Sequence, residues 1–267
     1  MTAVSYETFL LYMLIGGFTG ILAGLLGVGG GAVIVPALLF HFRAEQFSAA
    51  ILMHMAVACS LVAIVFTSMS STLAHHRRGA VLWSTALVLA PGIVLGAVAG
   101  GIIVDGLSSD VLRYGFAAFE CLVAWRLVRD RQPAAHRTLP GRAGLAGVGA
   151  GIGAVSTLMG IGGGALTVPF LLWCNINIRN AIATSAACGL PIALAGSGTL
   201  IVAGWGRPDL PQWSSGYVYW PAGLLIATSS VLTAPLGARL AHSLPLKALK
   251  RIFAVLLIAV AIRMVML

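Results

Sequence analysis

The feature that most constrains this chain is a glycine-rich motif that occurs twice. Residues 27–36 read GVGGGAVIVP and residues 160–169 read GIGGGALTVP, and each copy lies inside an otherwise apolar stretch. Adjacent glycines weaken a helix by about 1 kcal/mol each relative to alanine, so each copy predicts a break in a helix. Backbone exposed at membrane depth is tolerated only where it is buried in protein or lines a watery cavity. Paired breaks in two halves of a hydrophobic chain therefore indicate the substrate site of a transporter.

The composition predicts an all-α polytopic integral membrane protein. Hydrophobic residues make up 59% of the 267 residues and charged residues 9%, with a mean hydropathy of +1.00. Soluble domains carry about 25% charged residues. The apolar runs are long and continuous, whereas the strands of a membrane barrel would alternate. The net charge of +9 falls in short connectors and forms no basic patch interleaved with aromatic residues, so nucleic acid is not expected as a partner.

The chain aligns with itself over nearly its whole length. Around the motifs, the aligned positions are Gly16 with Gly149, Gly20 with Gly153, Gly27 with Gly160 and Pro36 with Pro169. We therefore predict a first transmembrane repeat over residues 1–130, a basic cytoplasmic linker over 131–142, and a second transmembrane repeat over 143–267.

Each repeat divides into five apolar segments. They cover residues 8–27, 31–42, 48–74, 80–104 and 110–128, and then 143–160, 164–174, 180–203, 215–240 and 245–266. The second segment of each set is too short to cross a hydrocarbon core, which needs about 20 residues. Each motif is therefore expected to start a half-helix, which either crosses or folds back as a re-entrant hairpin.

Positive charge predicts the orientation of the repeats. If the connector from Arg126 to Arg142 is cytoplasmic, twelve basic residues lie on the cytoplasmic side and four on the other. This is the distribution that the positive-inside rule requires. Because each repeat has an odd number of segments, the two repeats are inverted and both termini face the periplasm or exterior.

The half-helix ends are predicted to bind a small anion. The first N–H groups of a helix carry partial positive charge and bind anions without a cationic side chain. The alternative is that the glycines serve close helix packing, as in Gly16-x-x-x-Gly20-x-x-x-Gly24. The duplication favours the substrate site, which we assign to Gly27, Gly29, Gly30, Gly31, Pro36, Gly160, Gly162, Gly163, Gly164 and Pro169.

Small polar side chains stand at aligned positions of the third segments. Cys59-Ser60 aligns with Thr184-Ser185, and Ser71-Thr72 aligns with Gly196-Ser197. Hydroxyl groups can donate to substrate oxygens, although in membrane helices they also satisfy neighbouring carbonyls. Further substrate contacts are therefore expected among Cys59, Ser60, Ser71, Thr184, Ser185 and Ser197.

Ionisable residues at apparent membrane depth are functional candidates. His54, its aligned partner Arg179, and Glu120 are candidates for ion coupling, and a buried His54–Glu120 pair is the structural alternative. His75, His76, Arg77 and Arg78 are expected at the cytoplasmic mouth, either attracting anions or touching lipid phosphates. The four cysteines lie in apolar segments, so they are expected to be buried, and neither a metal nor another cofactor is predicted.

The two motifs, together with His75-His76-Arg77-Arg78-Gly79-Ala80-Val81, resemble the sulfite exporter TauE/SafE family of membrane permeases. The resemblance implies a multi-pass protein of the bacterial inner membrane that exports sulfite, sulfoacetate or a related organosulfonate. Relatives commonly carry Thr-Ser where this chain has Cys59-Ser60.

We therefore predict an exporter of a small sulfur-containing oxyanion that works by alternating access, with no catalytic residues. One alternative is an anion channel. A less favoured one is an intramembrane hydrolase using Ser60 or Ser185 with His54, because the duplicated machinery lacks a nucleophile elbow and an asymmetric base. The sequence leaves the oligomeric state open.

Overall fold

The computed structural model describes residues 5–26, 30–129, 138–240 and 246–267, which form ten helices and one short hairpin. The first repeat contains α1 (Tyr6–Leu26), α2 (Gly31–Ala44), α3 (Leu52–Arg77), α4 (Trp83–Gly106) and α5 (Ser109–Arg129). The second contains α6 (Arg142–Leu158), α7 (Gly164–Trp173), α8 (Ile178–Ala203), β1 (Ser214–Ser215), β2 (Val218–Tyr219), α9 (Trp220–Leu240) and α10 (Leu246–Val265). Most of the predicted linker, residues 130–137, lies outside the described residues, so its bounds remain a prediction.

The predicted all-α membrane fold with half-helices is confirmed. Within the described residues, four stretches are long and apolar enough to cross a membrane, namely Tyr6–Ala23, Leu52–Arg77, Trp83–Gly106 and Ile178–Ala203. By contrast, α2 has 14 residues and α7 has 10, and each begins directly after its glycine motif. The predicted segment starting at residue 215 begins as a helix only at Trp220, because residues 214–219 pair as an antiparallel hairpin.

The two repeats pack on each other with approximate two-fold symmetry. Helix α4 lies along α6 as α1 lies along α9, and α3 contacts α9 as α4 contacts α8. The remaining large contacts join equivalent helices, α3 with α8 and α5 with α10. Ser68 lies beside Gly189 and Leu61 beside Gly196, so the equivalent helices α3 and α8 run antiparallel. The repeats are therefore inverted, as predicted.

Each half-helix returns to the side from which its predecessor entered. Thr8 near the start of α1 donates to Glu45 at the end of α2 over 3.5 Å, and the ring of Tyr12 packs edge-on against His41. Helices α1 and α2 therefore form a re-entrant hairpin. In the second repeat, Asn180 at the start of α8 donates to the carbonyl of Ala80 before α4. Since α6 also begins beside the start of α4, the α6–α7 pair returns in the same way.

These contacts define two ends of the molecule. The end at which α1, α3 and α9 begin is called the α1 side, and the end at which α4, α6 and α8 begin is called the α6 side. Arg43 contacts the carbonyl of Leu267 on the α1 side, so the last helix finishes where the first one starts. Arg77 and Arg78 lie at the end of α3, on the α6 side together with Arg179.

Glycines let the helices of different repeats approach backbone to backbone. A Cβ on Gly92, Gly96 or Gly100 of α4 would collide with a backbone carbonyl of α6. The symmetric contact places Gly16 and Gly20 of α1 against backbone carbonyls of α9. The prediction that Gly16 and Gly20 serve close helix packing is therefore confirmed.

One prediction about the cysteines was wrong. Cys59, Cys174 and Cys188 are buried, but Cys121 is exposed. Cys121 lies on α5 with Tyr114, where the two line an apolar groove against Ile262 of α10. An apolar segment of a membrane protein has a lipid-facing side as well as a buried one, and the hydrophobic pattern alone does not distinguish them.

Two glycines of α6 test this packing. A Cβ at Gly153 would collide with the carbonyl of Ile93, whereas a Cβ at Gly151 meets no atom within 4 Å. Gly153→Ala is expected to lower the free energy of unfolding by about 1–3 kcal/mol through overpacking. Gly151→Ala should raise it by about 0.5–1 kcal/mol, because alanine favours the helix. Thermal unfolding in detergent measures both, and equal midpoints for the two variants would contradict the observed α4–α6 packing.

Candidate functional site

The two helix breaks contact each other in the interior of the protein. Gly31, the first residue of α2, lies so close to the second break that a Cβ would collide with the carbonyl of Gly160 and lie 2.8 Å from the Cα of Ile161. Gly160 itself has φ of +58°, a left-handed conformation that glycine adopts at little cost. Gly27 and Gly29 lie outside the described residues. The start of α2 therefore lies directly against the irregular backbone of the second break.

One stripe of α3 lines the second break. The buried Ser60 donates its hydroxyl hydrogen to the carbonyl of Gly160 over 2.7 Å. One turn later, Ile64 lies 3.6 Å from the Cβ position of Gly162, and Ser68 follows after another turn. Residues spaced by four lie on the same helical face. Ser60 thus holds the break in place, and any contact of Ser60 with a substrate stays a prediction.

One face of α8 lines the same break from the other side. A Cβ at Gly163 would lie 3.6 Å from the carbonyl oxygen of Ser185 and 3.1 Å from Ile192. A Cβ at Gly189 would lie 2.6 Å from the hydroxyl of Ser68 and 4.0 Å from the backbone nitrogen of Gly163. Ser68 and the start of α7 therefore approach the same point on α8.

Three hydroxyl groups around the second break, which we call the break hydroxyls, belong to Ser68, Thr157 and Thr167. Thr157 and Thr167 are 0% exposed and Ser68 is 8% exposed. Thr157 Oγ1 lies 2.9 Å from the Cβ position of Gly196, and Thr167 Oγ1 lies 3.0 Å from that of Gly163.

The side-chain hydroxyls of Thr157 and Thr167 have no hydrogen-bond partner among the described residues, and neither does that of Ser156 nearby. A buried hydroxyl without a partner costs about 1–3 kcal/mol. Thr157 and Thr167, which lie three residues before and seven residues after Gly160, therefore carry buried hydroxyls without an acceptor in the described part of the chain.

Backbone groups add to this set of donors. The first N–H groups of a helix have no partner within that helix, and α7 begins at Gly164 with Gly163 as its N-cap. Pro36 and Pro169 are the sixth residues of α2 and α7, and each lacks the N–H that would bond the carbonyl four residues earlier. The start of α7 therefore has N–H groups without a partner inside that helix, and in each half-helix the proline leaves one first-turn carbonyl without its usual helical donor.

Sequence reasoning did not find Thr157 and Thr167 as site residues. Their equivalents in the first repeat are Gly24 and Ile34, so the self-alignment that revealed the glycines offered no hydroxyl pair here. The difference between the copies was itself a signal, because Thr167 is the polar residue of an otherwise apolar motif.

The aligned pair Cys59 and Thr184 has a shared structural role. Thr184 Oγ1 accepts a hydrogen bond of 3.0 Å from the backbone N–H of Leu82, directly before α4. Cys59 Sγ accepts one of 3.3 Å from the N–H of Tyr219, directly before α9. Each side chain therefore satisfies the backbone at the start of a helix, which explains how cysteine and threonine replace each other.

The remaining aligned hydroxyls lie further along the third segments. Ser197 donates to the carbonyl of Ala193 in its own helix over 2.6 Å, and Ser71 is half-buried on α3. A role of either residue in substrate binding stays a prediction.

The two buried ionisable residues are separate from each other. His54 Nε2 lies 3.1 Å from the carbonyl oxygen of Leu107, and its ring stacks on Tyr217 with 4.9 Å between centroids. Glu120 lies buried on α5 without a bond to His54. The alternative of a buried His54–Glu120 pair is therefore wrong. His54 belongs to the α1 side, at the start of α3.

A polar network joins the two repeats at the α1 side. The Tyr217 hydroxyl donates to Asp105 over 2.6 Å and accepts from the Arg207 guanidinium over 2.6 Å. Burial and then the bond to Asp105 raise the pKa of Tyr217 to about 12, so the hydroxyl stays protonated at neutral pH. Arg207 also contacts Asp209 at 3.4 Å. Because Asp105 belongs to the first repeat and the others to the second, the network ties the repeats together.

The cationic connector lies at the α6 side. Trp83 Nε1 donates to His76 Nδ1 over 3.1 Å, while Arg77 and Arg78 are exposed. Arg179 is exposed at the same side, one residue into α8. Cationic groups are therefore concentrated around one mouth of the protein, and a role in attracting anions stays a prediction.

An all-α fold of inverted repeats, with broken helices that meet in the interior, defines a multi-pass membrane transporter. The chain belongs to the sulfite exporter TauE/SafE family, whose model matches residues 12–264.

Proteins that are similar to this chain over nearly its whole length are described as probable membrane transporter proteins. One from Haemophilus influenzae is 38% identical over 96% of this chain and 97% of its own length. One from Xylella fastidiosa is 30% identical over 92% of this chain and 91% of its own length. YunE from Bacillus subtilis is 27% identical over 97% of both chains.

The shared role of Cys59 and Thr184 can be tested at Thr184. Thr184→Val leaves the part-buried N–H of Leu82 without its side-chain acceptor, which is expected to lower the free energy of unfolding by about 1 kcal/mol. Thr184→Ser keeps an acceptor and should lose less. Thermal unfolding of the two purified variants measures the difference. If valine were tolerated as well as serine, the hydrogen bond would not support the start of α4.

Proposed function

We propose that this protein is a secondary transporter that exports a small sulfur-containing oxyanion, such as sulfite or an organosulfonate, by alternating access. The observation that carries the proposal is the contact between the two helix breaks, where Gly31 lies against Gly160 and buried donors lack protein acceptors. In the interior of a membrane protein, such donors are satisfied best by a ligand that supplies acceptor oxygens.

The chemistry of the donors favours an oxyanion. The N–H groups at the start of α7 lie at the positive end of the helix dipole and attract negative charge. The break hydroxyls of Ser68, Thr157 and Thr167 can each donate to an oxygen. A substrate with several oxygens on one sulfur atom presents acceptors in several directions, which suits donors on different helices. None of these donors is a cation, so binding is expected to be modest and reversible.

The sequence-predicted site residues enter this proposal in two groups. One group comprises the glycines and prolines of the two motifs, namely Gly27, Gly29, Gly30, Gly31, Pro36, Gly160, Gly162, Gly163, Gly164 and Pro169. The other group lies on α3 and α8, the helices that line the second break, namely Cys59, Ser60, Ser71, Thr184, Ser185 and Ser197. The substrate class rests on the family description as an exporter of sulfite.

We place the protein in the bacterial inner membrane with its α6 side in the cytoplasm. The exposed Arg77, Arg78 and Arg179 support this orientation through the positive-inside rule. His75 and His76 would then join these arginines at the cytoplasmic mouth, where they raise the local concentration of anions. Both chain ends would face the periplasm or exterior.

An anion channel is the second candidate, because the same donors could line a continuous pore. Alternating access is favoured by the network of Asp105, Tyr217 and Arg207. This network lies at the α1 side and joins the repeats there through hydrogen bonds, which a rocking motion can break. An intramembrane enzyme is less favoured, since the Ser60 hydroxyl donates to a backbone carbonyl and not to a base such as His54.

The substrate site is tested by removing one break hydroxyl without changing shape. Thr167→Val is expected to reduce sulfite exchange in proteoliposomes about tenfold at low substrate. A hydrogen bond to a charged group is worth about 1.5–3 kcal/mol, and 1.4 kcal/mol corresponds to a factor of ten. The loss should be an increased KM, because the hydroxyl acts in binding.

Thr199→Val is the matched control for this experiment. The Thr199 hydroxyl donates to Ala195 within its own helix, so valine is expected to leave exchange unchanged. Unaltered exchange in a correctly folded Thr167→Val variant would remove Thr167 from the site. Electrical conductance that does not saturate with substrate would favour the channel.

The orientation predicts that a fusion to the C-terminus reaches the periplasm. Alkaline phosphatase, which is active only outside the cytoplasm, is expected to be active when fused after Leu267. Green fluorescent protein at the same position is expected to remain dark after export by the general secretory route. A fusion truncated after Arg78, at the α6 side, should give the opposite pair of results, and a reversed pattern would overturn the orientation.

A further inference from the structure

Glu120 is a buried carboxyl group at the middle of a membrane helix. It is the twelfth of the 21 residues of α5 and is 1% exposed. Neither carboxyl oxygen has a hydrogen-bond partner among the described residues. An isolated ionised carboxylate in an apolar interior is so unfavourable that the group takes up a proton instead. The equivalent position in the second repeat is Leu257, so the carboxyl is not part of the duplicated scaffold.

The surroundings of Glu120 contain no compensating charge in the part of the chain that the structure describes. Its face of α5 continues with Phe116 and Ala124, and α10 contributes Leu257. The other titratable or charged side chains described on α5 and on the helices near it form no ion pair with Glu120. They are Asp110, Arg113, Tyr114, Cys121, Arg126 and Arg129 on α5, Arg251 and Arg263 on α10, His54, Cys59, His75, His76 and Arg77 on α3, and His41 and Arg43 on α2.

Glu120 is connected to the first helix break through one turn of α5. Ala124, four residues later on the same face, packs in one cluster with Ala32 and Leu257. Ala32 is the second residue of α2, directly after the break. A movement of the start of α2 therefore changes the packing of Ala124, one helical turn from Glu120.

We propose that Glu120 is the proton-binding site that couples transport to the pH gradient, an inference that rests on the proposed transport function. In the packing observed here the carboxyl is protonated. When α2 and α5 separate in another state of the transport cycle, water reaches the carboxyl and the proton is released. The carboxyl is protonated again from the compartment to which the opposite state opens and releases its proton into the compartment to which this state opens, so one proton crosses the membrane per cycle of the anion site.

Two measurements with the same proteoliposomes distinguish proton coupling by Glu120 from the anion transport on which it rests. Sulfite exchange at equal pH on both sides measures transport alone, and accumulation driven by a pH gradient measures coupling. Glu120→Gln is expected to retain exchange within about twofold, because glutamine resembles the protonated carboxyl. Accumulation should fall at least tenfold and no longer respond to the gradient. Glu120→Asp, which keeps a carboxyl, should recover part of the accumulation.

Asp110→Asn is the matched control, since Asp110 is an exposed carboxyl on the same helix and pairs with Arg113 at 2.9 Å. It should leave both exchange and accumulation unchanged. Accumulation by Glu120→Gln at the rate of the unmodified protein would overturn the proposal, even with exchange intact. So would exchange in the unmodified protein together with an absence of any response to the gradient.

An infrared readout does not depend on transport. The purified protein is expected to show the stretching band of a protonated carboxyl at neutral pH, and Glu120→Gln should lack that band. If exchange is absent from the unmodified protein, the transport function fails, while this band still decides whether Glu120 holds a proton. Absence of the band from the unmodified protein would overturn the proton site.

Discussion

The contact between the start of α2 and the irregular backbone of the second break is the constraint on which the rest of the structure depends. Peptide groups that leave a helix at membrane depth must be enclosed by protein, because lipid offers them no hydrogen bonds. Here Gly31 lies directly against the carbonyl of Gly160, and a side chain on Gly31 would prevent this approach. Ser60 satisfies that carbonyl from α3. Helices α3 and α8 cross beside the second break. They enclose peptide groups that are outside a regular helix and that lipid could not hydrogen-bond.

The glycine duplication and the segment lengths predicted most of the architecture. Segment lengths are local features of the sequence, and the duplication is found by aligning the chain with itself. The half-helices, the inverted repeats and the packing role of Gly16 could therefore be predicted from the sequence. The re-entrant course of α1 and α2 was not, because a crossing helix and a hairpin place the following segments on the same sides. It took the contacts of Thr8 with Glu45 and of Tyr12 with His41 to decide between them.

The chemistry of the candidate site was less accessible, because it depends on what each side chain touches. Alignment singled out Thr184 as a hydroxyl, but only the contact with Leu82 shows that it supports the start of α4. Thr157 and Thr167, by contrast, were found only in the structure. They have no aligned hydroxyl in the first repeat, and their lack of an acceptor is a property of the folded state. Self-alignment therefore detects the residues that the two repeats share and does not detect functional residues that are present in one repeat only.

Under the proposed alternating access, this asymmetry would set the balance between the states open to either side. Two identical inverted copies would make the states open to either side equal in energy, because each state is the other with the copies exchanged. Here the α1 side is joined by the charged network of Asp105, Tyr217 and Arg207. The residue aligned with Tyr217 is Ala80, whose carbonyl accepts a single bond from the amide of Asn180 on the α6 side. A hydrogen bond to a charged group contributes about 1.5–3 kcal/mol, against about 1 kcal/mol for a neutral pair. Opening the α1 side therefore breaks stronger bonds than opening the α6 side, and this difference shifts the population toward the state in which the α1 side is closed.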